Sequence, residues 1–435
     1  MNILIAKGRV IDPASQFDQT ADLAVADGRI VAIVPQGGAL PKGFVPDQTL
    51  DAQGCIVAPG LVDAQVRLRE PGYEHEGMLD SELAAAVTGG VTSLVCPPDT
   101  DPVLDEPGLV DMLTHRASKL ARARVFPLGA LTRGLKGEVL TEMAELTEAG
   151  CVGFTQAEVP IVDTQVLQRA LQYAATYGYT VWLRPQDPFL GKGVAASGAL
   201  ATRMGLSGVP VAAETIALHT IFALMRSTHA RVHLCRISRA EGVALVRAAK
   251  AEGLAVTADV SINSLHLSDH DMGFFDSRAR LTPPLRQQRD RDALQAALAD
   301  GTLDILVSDH APVDNDAKAL PFAQAEPGAT GLELLLSLAL KWGAQSDAGL
   351  MRALAVITSA PAQLLPDAQR LGLGKLQVGG VADVVVFDPS QTWQVQPDAL
   401  RSQGKHTPFA FDVSGMAMQA RVRATLVGGR IVYQA

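Results

Sequence analysis

Short runs of β-favouring residues alternate along this chain with segments whose apolar residues recur at helical spacing, and this alternation constrains the fold most strongly. Segments 141–149, 167–177 and 240–252 have the helical spacing. Residues 191–208 are rich in small residues and are predicted as a loop, with a helix as the alternative. The β-rich runs are 56–62, 92–96, 124–128, 151–154, 180–183, 231–235, 255–259 and 304–307. Eight strands with intervening helices predict an α/β fold, a (β/α)8 TIM-like barrel.

The two chain ends carry a different pattern of short strands and turns. Asp27-Gly28 is a hairpin signal between two apolar runs. The segment Val427-Gly-Gly-Arg-Ile-Val echoes Val25-Ala-Asp-Gly-Arg-Ile-Val near the start. We therefore expect the two ends to build one small β domain together. The predicted limits are 1–57 and 371–435 for the two parts of this domain and 58–370 for the barrel.

Composition excludes several classes of protein. The 435 residues are 48% hydrophobic, the net charge is −9, and no long basic run occurs, so a nucleic-acid surface is not expected. No apolar stretch approaches the roughly 20 residues of a membrane-spanning helix. The four cysteines are scattered and form no Cys-x-x-Cys pair, which indicates reduced core thiols in a cytoplasmic protein.

Residues 58–72 place polar side chains at the end of the first predicted barrel strand. Residues two apart in a strand share a face, so Gln65, Arg67 and Arg69 are predicted to point the same way. Barrel enzymes carry their chemistry at this end of the strands.

This stretch, Ala-Pro-Gly-Leu-Val-Asp-Ala-Gln-Val-Arg-Leu-Arg-Glu-Pro-Gly, resembles the opening signature of dihydroorotases, members of the cyclic amidohydrolases. Further landmarks of the resemblance follow along most of the chain. They include Thr88-Gly-Gly-Val-Thr92, Cys96-Pro-Pro-Asp-Thr-Asp-Pro102, Pro283-Pro-Leu-Arg286, Ser308-Asp-His-Ala-Pro312 and Thr330-Gly-Leu-Glu333. The resemblance implies an amidohydrolase-type barrel and a zinc-dependent hydrolysis of a cyclic amide.

The positions at which the resemblance implies metal ligands are altered in this chain. A catalytic metal needs His nitrogens and carboxylate oxygens, whereas a guanidinium group has no lone pair to give. Glu158 is shifted in register and is expected to be a weak substitute for the family's carboxylate. The replaced positions are Gln65, Arg67, Gln156 (or Ala157), Arg184 and Arg236. The resemblance leaves Asp309 as a vestigial general base, and no metal or other cofactor is expected.

Three arginines, Arg67, Arg184 and Arg236, are thus predicted to converge at the strand ends. Unpaired buried charges are costly, so counter-ions are expected. We predict that the arginines fill the former metal site, with Asp309 and Asp63 as their partners.

The implied substrate positions have changed too. Arg69 keeps the family's carboxylate-binding arginine, but Asp99 places an anion where an asparagine would hold an anionic substrate. Val313 replaces a histidine and cannot donate a hydrogen bond, and Thr282 replaces another asparagine.

Three functions remain open from these residues. The resemblance implies a catalytically inactive pseudoenzyme of pyrimidine biosynthesis that acts as a structural partner of aspartate transcarbamoylase and forms a homo-oligomer. The alternative is an active, metal-dependent dihydroorotase with an atypical site, for which His233, Asp309 and His310 would be the starting ligands. The third is a barrel that binds phosphate or a dicarboxylate through its arginines.

Overall fold

The computed structural model describes residues 1–435, except for the side chain of Gln369. Strands from both chain ends form one eight-stranded sheet, in which Ile56–Pro59 pairs with strands from each end. The predicted β unit built from both ends is therefore confirmed, while its exact domain limits stay predictions. The strands are Ile3–Asp12, Phe17–Ala26, Arg29–Pro35, Gln48–Asp51, Ile56–Pro59, Val384–Gln394, Ala417–Val427 and Arg430–Gln434.

The two echoing segments form the same tight hairpin turn. Ala26 pairs with Arg29, and Val427 pairs with Arg430. All four intervening residues have positive φ, 50° and 77° in the first turn and 55° and 70° in the second. This backbone matches the twist of the flanking strands, which is why Asp-Gly and Gly-Gly occur there.

The middle of the chain forms the predicted barrel of parallel strands. Its first strand returns to the eighth through a parallel bridge between Val66 and His310, where the Arg67 N–H donates to the His310 carbonyl at 2.8 Å. The barrel strands are Leu61–Asp63, Val91–Cys96, Arg124–Pro127, Phe154–Thr155, Thr180–Leu183, Arg231–Leu234, Val256–Ser261 and Ile305–Val307, with Gly129–Ala130 continuing the third. The (β/α)8 prediction is confirmed.

One predicted strand is wrong in its extent. Residues 56–62 divide at Gly60, with Ile56–Pro59 in the end sheet and Leu61–Asp63 in the barrel. The Gly60 N–H donates to the Asp383 carbonyl at 2.9 Å. A Cβ at this glycine would lie 2.2 Å from the Thr92 Oγ1, so close packing at the turn requires glycine.

Helices cover the outside of the barrel. In Thr164–Tyr177, the Asp163 carboxylate caps the first turn at 2.8 Å, Gly178 ends the helix with a φ of 73°, and the apolar face is buried. Within the predicted loop 191–208 lies one short helix. The helices are Leu79–Thr88, Pro107–Leu120, Met143–Glu148, Thr164–Tyr177, Ala199–Met204, Ala212–Thr228, Ala240–Glu252, Ile262–His266, Gln288–Asp300, Asn315–Ala319, Leu335–Gln345, Gly349–Ala355, Ser359–Ala362, Ala368–Leu371 and Phe411–Ser414. Two-residue strands Ala195–Ala196 and Gly208–Val209 pair with each other.

No helix in the described part of the chain combines the length and the apolar character needed to cross a membrane.

Candidate functional site

A pocket of about 370 Å³ opens at the carboxyl ends of the barrel strands. Parallel strands direct the residues that follow them to the same end of a barrel, so charged side chains from distant parts of the sequence meet here. We call the central group the arginine cluster. It consists of Arg67 after the first strand, Glu158 after the fourth, Arg184 after the fifth and Arg236 after the sixth.

Glu158 is the shared partner of all three arginines. Its Oε1 lies 2.8 Å from the Arg67 guanidinium and also contacts the guanidinium of Arg236, while its Oε2 lies 2.7 Å from Arg184 Nε. The expectation that Glu158 is a weak substitute for a metal-binding carboxylate stays a prediction, but its carboxylate does reach the centre of the site, as the partner of arginines. The preceding Ala157 has a φ of 50°, which turns the chain so that the next side chain enters the pocket.

Asp309 and Asp99 complete the pairing. Asp309 accepts from Arg236 at 3.2 Å, and Asp99 accepts from Arg67 Nε at 2.9 Å. The expected pairing of Asp309 with the cluster is present. Asp99 pairs with an arginine of the protein itself, which explains why an acid is tolerated at this substrate position.

Asp63 does not pair with the arginines, so this expectation is wrong. Its Oδ1 accepts from the backbone N–H groups of Gln65 at 3.3 Å and of Ser308 at 3.2 Å. The carboxylate is fully buried beneath the pocket, where it joins the first strand end to the eighth. Burial raises the pKa of Asp63 to about 7, despite the hydrogen bonds from Ser308.

The pKa values of the two inner acids of the cluster, Glu158 and Asp309, are shifted in opposite directions. Burial opposes ionisation of Glu158, but the charges of Arg184, Arg236 and Arg67 outweigh it and hold the pKa of Glu158 well below its usual range. Burial raises the pKa of Asp309 to about 6, although Arg236 and Arg67 favour its ionised form. Glu158 is thus the fixed anion of the cluster, and Asp309 is the acid that titrates closer to neutrality.

Arg69 faces the pocket on a separate side of the cluster. Its Nε donates to the Pro312 carbonyl at 2.9 Å and lies 2.6 Å from Glu76 Oε2, and its guanidinium reaches Glu326 at 3.5 Å. The substrate position Val313 is buried behind Gly328 and does not line this pocket. A valine therefore fills core space there.

The two glutamines at ligand positions do not join the arginine cluster. Gln156 accepts from the Thr132 hydroxyl at 3.0 Å and donates to the Leu135 carbonyl at 2.8 Å, which turns it away from the pocket. Gln65 is buried, and its side chain does not line the pocket.

The histidines that an atypical metal site would need lie apart and are already engaged. His233 contacts Asp259 at 2.9 Å and Thr257 at 2.8 Å through its two ring nitrogens. His310 contacts Glu82 at 2.8 Å and accepts from the Gly331 N–H at 3.2 Å. The structure therefore does not bring His233, Asp309 and His310 together as one ligand set.

The residues of the pocket do not fit the zinc that the sequence resemblance implies. Zinc binds thiolates, neutral imidazoles and carboxylates, and Arg67, Arg184 and Arg236 offer only protonated nitrogens at the corresponding strand ends. His233, Cys235 and Asp259 lie within ligand distance of one another, but this buried group sits behind the pocket wall and its nitrogens and oxygens are already hydrogen-bonded. The arginine cluster therefore cannot hold a metal for a catalytic step.

Several residues at the strand ends adopt a backbone conformation that sequence patterns do not reveal. Positive φ values occur at Arg69 (65°), Ala157 (50°), Arg236 (57°) and Asp309 (52°). Residues other than glycine rarely adopt this region, and they cluster where a structure must aim particular side chains. Here the turned backbone directs side chains toward the pocket.

The chain is similar to known proteins along its whole length. A family model described as "Dihydro-orotase-like" matches residues 54–242, and one described as "Amidohydrolase family" matches residues 209–433. A "dihydroorotase-like protein" of Pseudomonas aeruginosa is 43% identical over 435 residues, covering 100% of both chains. A "dihydroorotase" of Geobacter sp. (strain M21) is 40% identical over 436 residues, again covering 100% of both.

The fold has solved counterparts. The L-hydantoinase (dihydropyrimidinase) from Arthrobacter aurescens superimposes with a TM-score of 0.85 at 24% identity, covering 99% of this chain and 96% of that one. A D-hydantoinase superimposes with a TM-score of 0.82 at 20% identity, covering 100% and 95%. At these identities the likeness establishes the barrel architecture.

Proposed function

Since this chain belongs to the dihydroorotase-like family of amidohydrolases, we propose that it is a non-catalytic member that serves pyrimidine biosynthesis by assembly. In this proposal it is a cytoplasmic homo-oligomer that acts as a structural partner of aspartate transcarbamoylase. It uses no metal or other cofactor at its barrel pocket.

The observation that carries the proposal is the arginine cluster. Hydrolysis of a cyclic amide in this family depends on a metal-bound hydroxide, which needs a site that attracts dications. Here the Glu158 carboxylate forms ion pairs with three guanidinium groups, at 2.7 and 2.8 Å from two of them. A divalent cation at this position would face fixed positive charges without imidazole ligands to compensate.

The preserved fold supports an assembly role. The relatives cover the whole chain at about 40% identity, and the barrel and end sheet both persist although the pocket chemistry has changed. A chain that keeps its fold but has lost its metal-binding side chains still has a folded surface that can bind another protein. The choice of aspartate transcarbamoylase as partner rests on the family resemblance.

Two assays test this proposal. The purified chain, supplied with Zn²⁺, should not interconvert dihydroorotate and carbamoyl aspartate, whereas an authentic dihydroorotase assayed in parallel should. Mixed with aspartate transcarbamoylase of the same organism, the chain should co-elute in a larger complex on size-exclusion chromatography.

Turnover that is lost in Asp309→Ala would overturn the non-catalytic role and favour the alternative, an active dihydroorotase with an atypical site. Separate elution of the two proteins at micromolar concentrations would overturn the partnership while leaving the absence of activity intact.

A second candidate function, binding of a small anion, is favoured by Arg280. Basic side chains that line the pocket outnumber acidic ones, six to four. In the described part of the chain Arg280 has no acidic partner, and its Nε is buried without a hydrogen bond. Arginines pair strongly with phosphate and carboxylate groups.

Calorimetric titration with inorganic phosphate and with succinate tests this function. Binding should be saturable in the unmodified chain and lost in Arg280→Ala, while Arg289→Ala, which changes an exposed arginine, should bind normally. Equal binding by all three proteins would show that the pocket is not the anion-binding site.

A further inference from the structure

A second group of ligand-type side chains lies at the barrel rim, apart from the arginine cluster. His75 and Glu76 follow the first barrel strand, and Asp314 follows the eighth. His75 Nε2 lies 3.7 Å from Glu76 Oε1 and 3.7 Å from Asp314 Oδ2. One donor atom from each residue lies within 4.8 Å of the other two. An imidazole with two carboxylates is a donor set that borderline divalent metals prefer.

Glu76 supplies an independent observation. Its side chain is only 4% exposed, and its Oε1 lies 3.7 Å from His75 Nε2. Its Oε2 is held by Arg69 at 2.6 Å. The oxygen that Arg69 does not hold thus lies within ligand distance of the donor atoms of His75 and Asp314, where a cation could use it.

The neighbouring contacts hold the three residues in place. Gln403 donates to the carbonyls of Glu74 at 2.8 Å and His75 at 2.9 Å, which fixes the loop. The Asp314 Oδ1 caps the following helix through the Ala317 N–H at 2.8 Å, which leaves Oδ2 to face His75. Ligands that are oriented before binding lose less conformational entropy when a metal arrives.

We infer that His75, Glu76 and Asp314 form a binding site for a zinc-class divalent cation at the rim of the barrel. Ligand atoms about 2.1 Å from a tetrahedral metal lie roughly 3.4 Å from each other, so only small movements are required. The His75 side chain is 61% exposed, which leaves the remaining coordination position open to water.

Such a site would join two loops across the seam at which the barrel closes. The seam itself is formed by the short Val66–His310 bridge. A metal held by both loops therefore stabilises the folded state, because the unfolded chain lacks the assembled ligands. This inference goes beyond the proposed function and does not depend on it, since the arginine cluster shares none of the three ligands.

Equilibrium dialysis of the chelator-treated full chain against Zn²⁺ tests the site, with the bound metal counted by elemental analysis. We expect one zinc per chain at micromolar zinc and a zinc-dependent rise in the melting temperature. His75→Ala and Asp314→Asn should each lose the zinc and the rise; the second keeps an oxygen that can cap the helix. His219→Ala, which removes an exposed histidine elsewhere, should keep both.

Two results would overturn the inference. One is no zinc in the unmodified chain below about 100 micromolar, which corresponds to less than about 5.5 kcal/mol of binding free energy. The other is a zinc that persists in both His75→Ala and Asp314→Asn. Neither result alters the expectation that the chain lacks dihydroorotase turnover, so the inference and the proposed function fail separately.

Discussion

At the scale of single residues, the altered site depends on how Glu158 distributes its charge. Two arginines lie at 2.7 and 2.8 Å from its oxygens and a third is also in contact, while Asp99 and Asp309 pair with the outer faces of the cluster. Three neighbouring guanidinium groups would repel one another without these acids. An arginine at a former ligand position is therefore stable only together with its anionic neighbours.

Removing the charge of Glu158 should destabilise the protein strongly. In Glu158→Gln three largely buried arginines lose their common partner, and we expect the free energy of unfolding to fall on the order of 3 kcal/mol. Denaturant titration measures this change. The control is Glu252→Gln, which breaks an exposed pair with Arg226 and should cost less than about 1 kcal/mol. Equal costs for both variants would contradict the central role of Glu158.

Asp63 should make stability depend on pH. Its pKa is raised to about 7 by burial, against roughly 3.9 in an unfolded chain. Between these values the native state binds more protons, so the contribution of Asp63 to the free energy of unfolding falls as the pH rises from 4 to 7.

In Asp63→Asn this dependence should disappear, so the variant gains stability relative to the unmodified chain over that range. Denaturant titrations at pH 4.5 and 7 measure the difference. Asp398→Asn, which removes an exposed carboxylate, is the control. The unmodified chain and Asp63→Asn will differ in their free energy of unfolding. If that difference is the same at pH 4.5 and at pH 7, the raised pKa of Asp63 is contradicted.

At the scale of strands and loops, sequence periodicity predicts the strands and helices well but predicts the boundaries between them poorly. Eight β-rich runs gave eight barrel strands, because alternation of strands and amphipathic helices has few stable solutions. The division of residues 56–62 at Gly60 depends on the neighbouring Thr92, which no local pattern reports. The role of Glu158 was missed because it requires the positive φ of Ala157, although a lone acid opposite three predicted arginines was a usable signal.

The strained strand end at Ala157 gives a prediction at this scale. Glycine accepts a φ of 50° without the steric cost that alanine bears, so Ala157→Gly should raise the free energy of unfolding by ~0.5 kcal/mol. Ala217→Gly, in the middle of Ala212–Thr228, should lower it by about 1 kcal/mol. Thermal denaturation compares the two. A loss of stability in both variants would show that the backbone at Ala157 is not strained.

At the scale of the whole molecule, the barrel and the two-ended sheet are joined by buried polar contacts as well as by packing. Arg124, on the third barrel strand, donates twice to Asp383, at 2.8 and 3.1 Å. Asp383 also accepts from the Gly428 N–H at 2.7 Å, in the hairpin of the last two strands. One carboxylate thus connects the barrel to the end of the chain.

This connection should appear as an energetic coupling. In a double-mutant cycle with Arg124→Ala and Asp383→Ala, we expect a coupling of about 1.5–3 kcal/mol in the free energy of unfolding, because the pair is bidentate and Asp383 is buried. The exposed pair Arg423–Asp388 should show about 0.5 kcal/mol or less. Additive effects at Arg124 and Asp383 would mean that the two parts of the molecule are joined by packing alone.

The central claim is that arginines and their acids replace a metal at the strand ends of this barrel, and zinc content in His75→Ala tests it most directly. In that variant the rim site is removed, so any zinc that remains after loading and dialysis must be held elsewhere, the pocket included. The account predicts no bound zinc per chain. One or two tightly held zinc ions that are lost in His75→Ala/Asp309→Ala would contradict it and restore a hydrolytic role for the pocket.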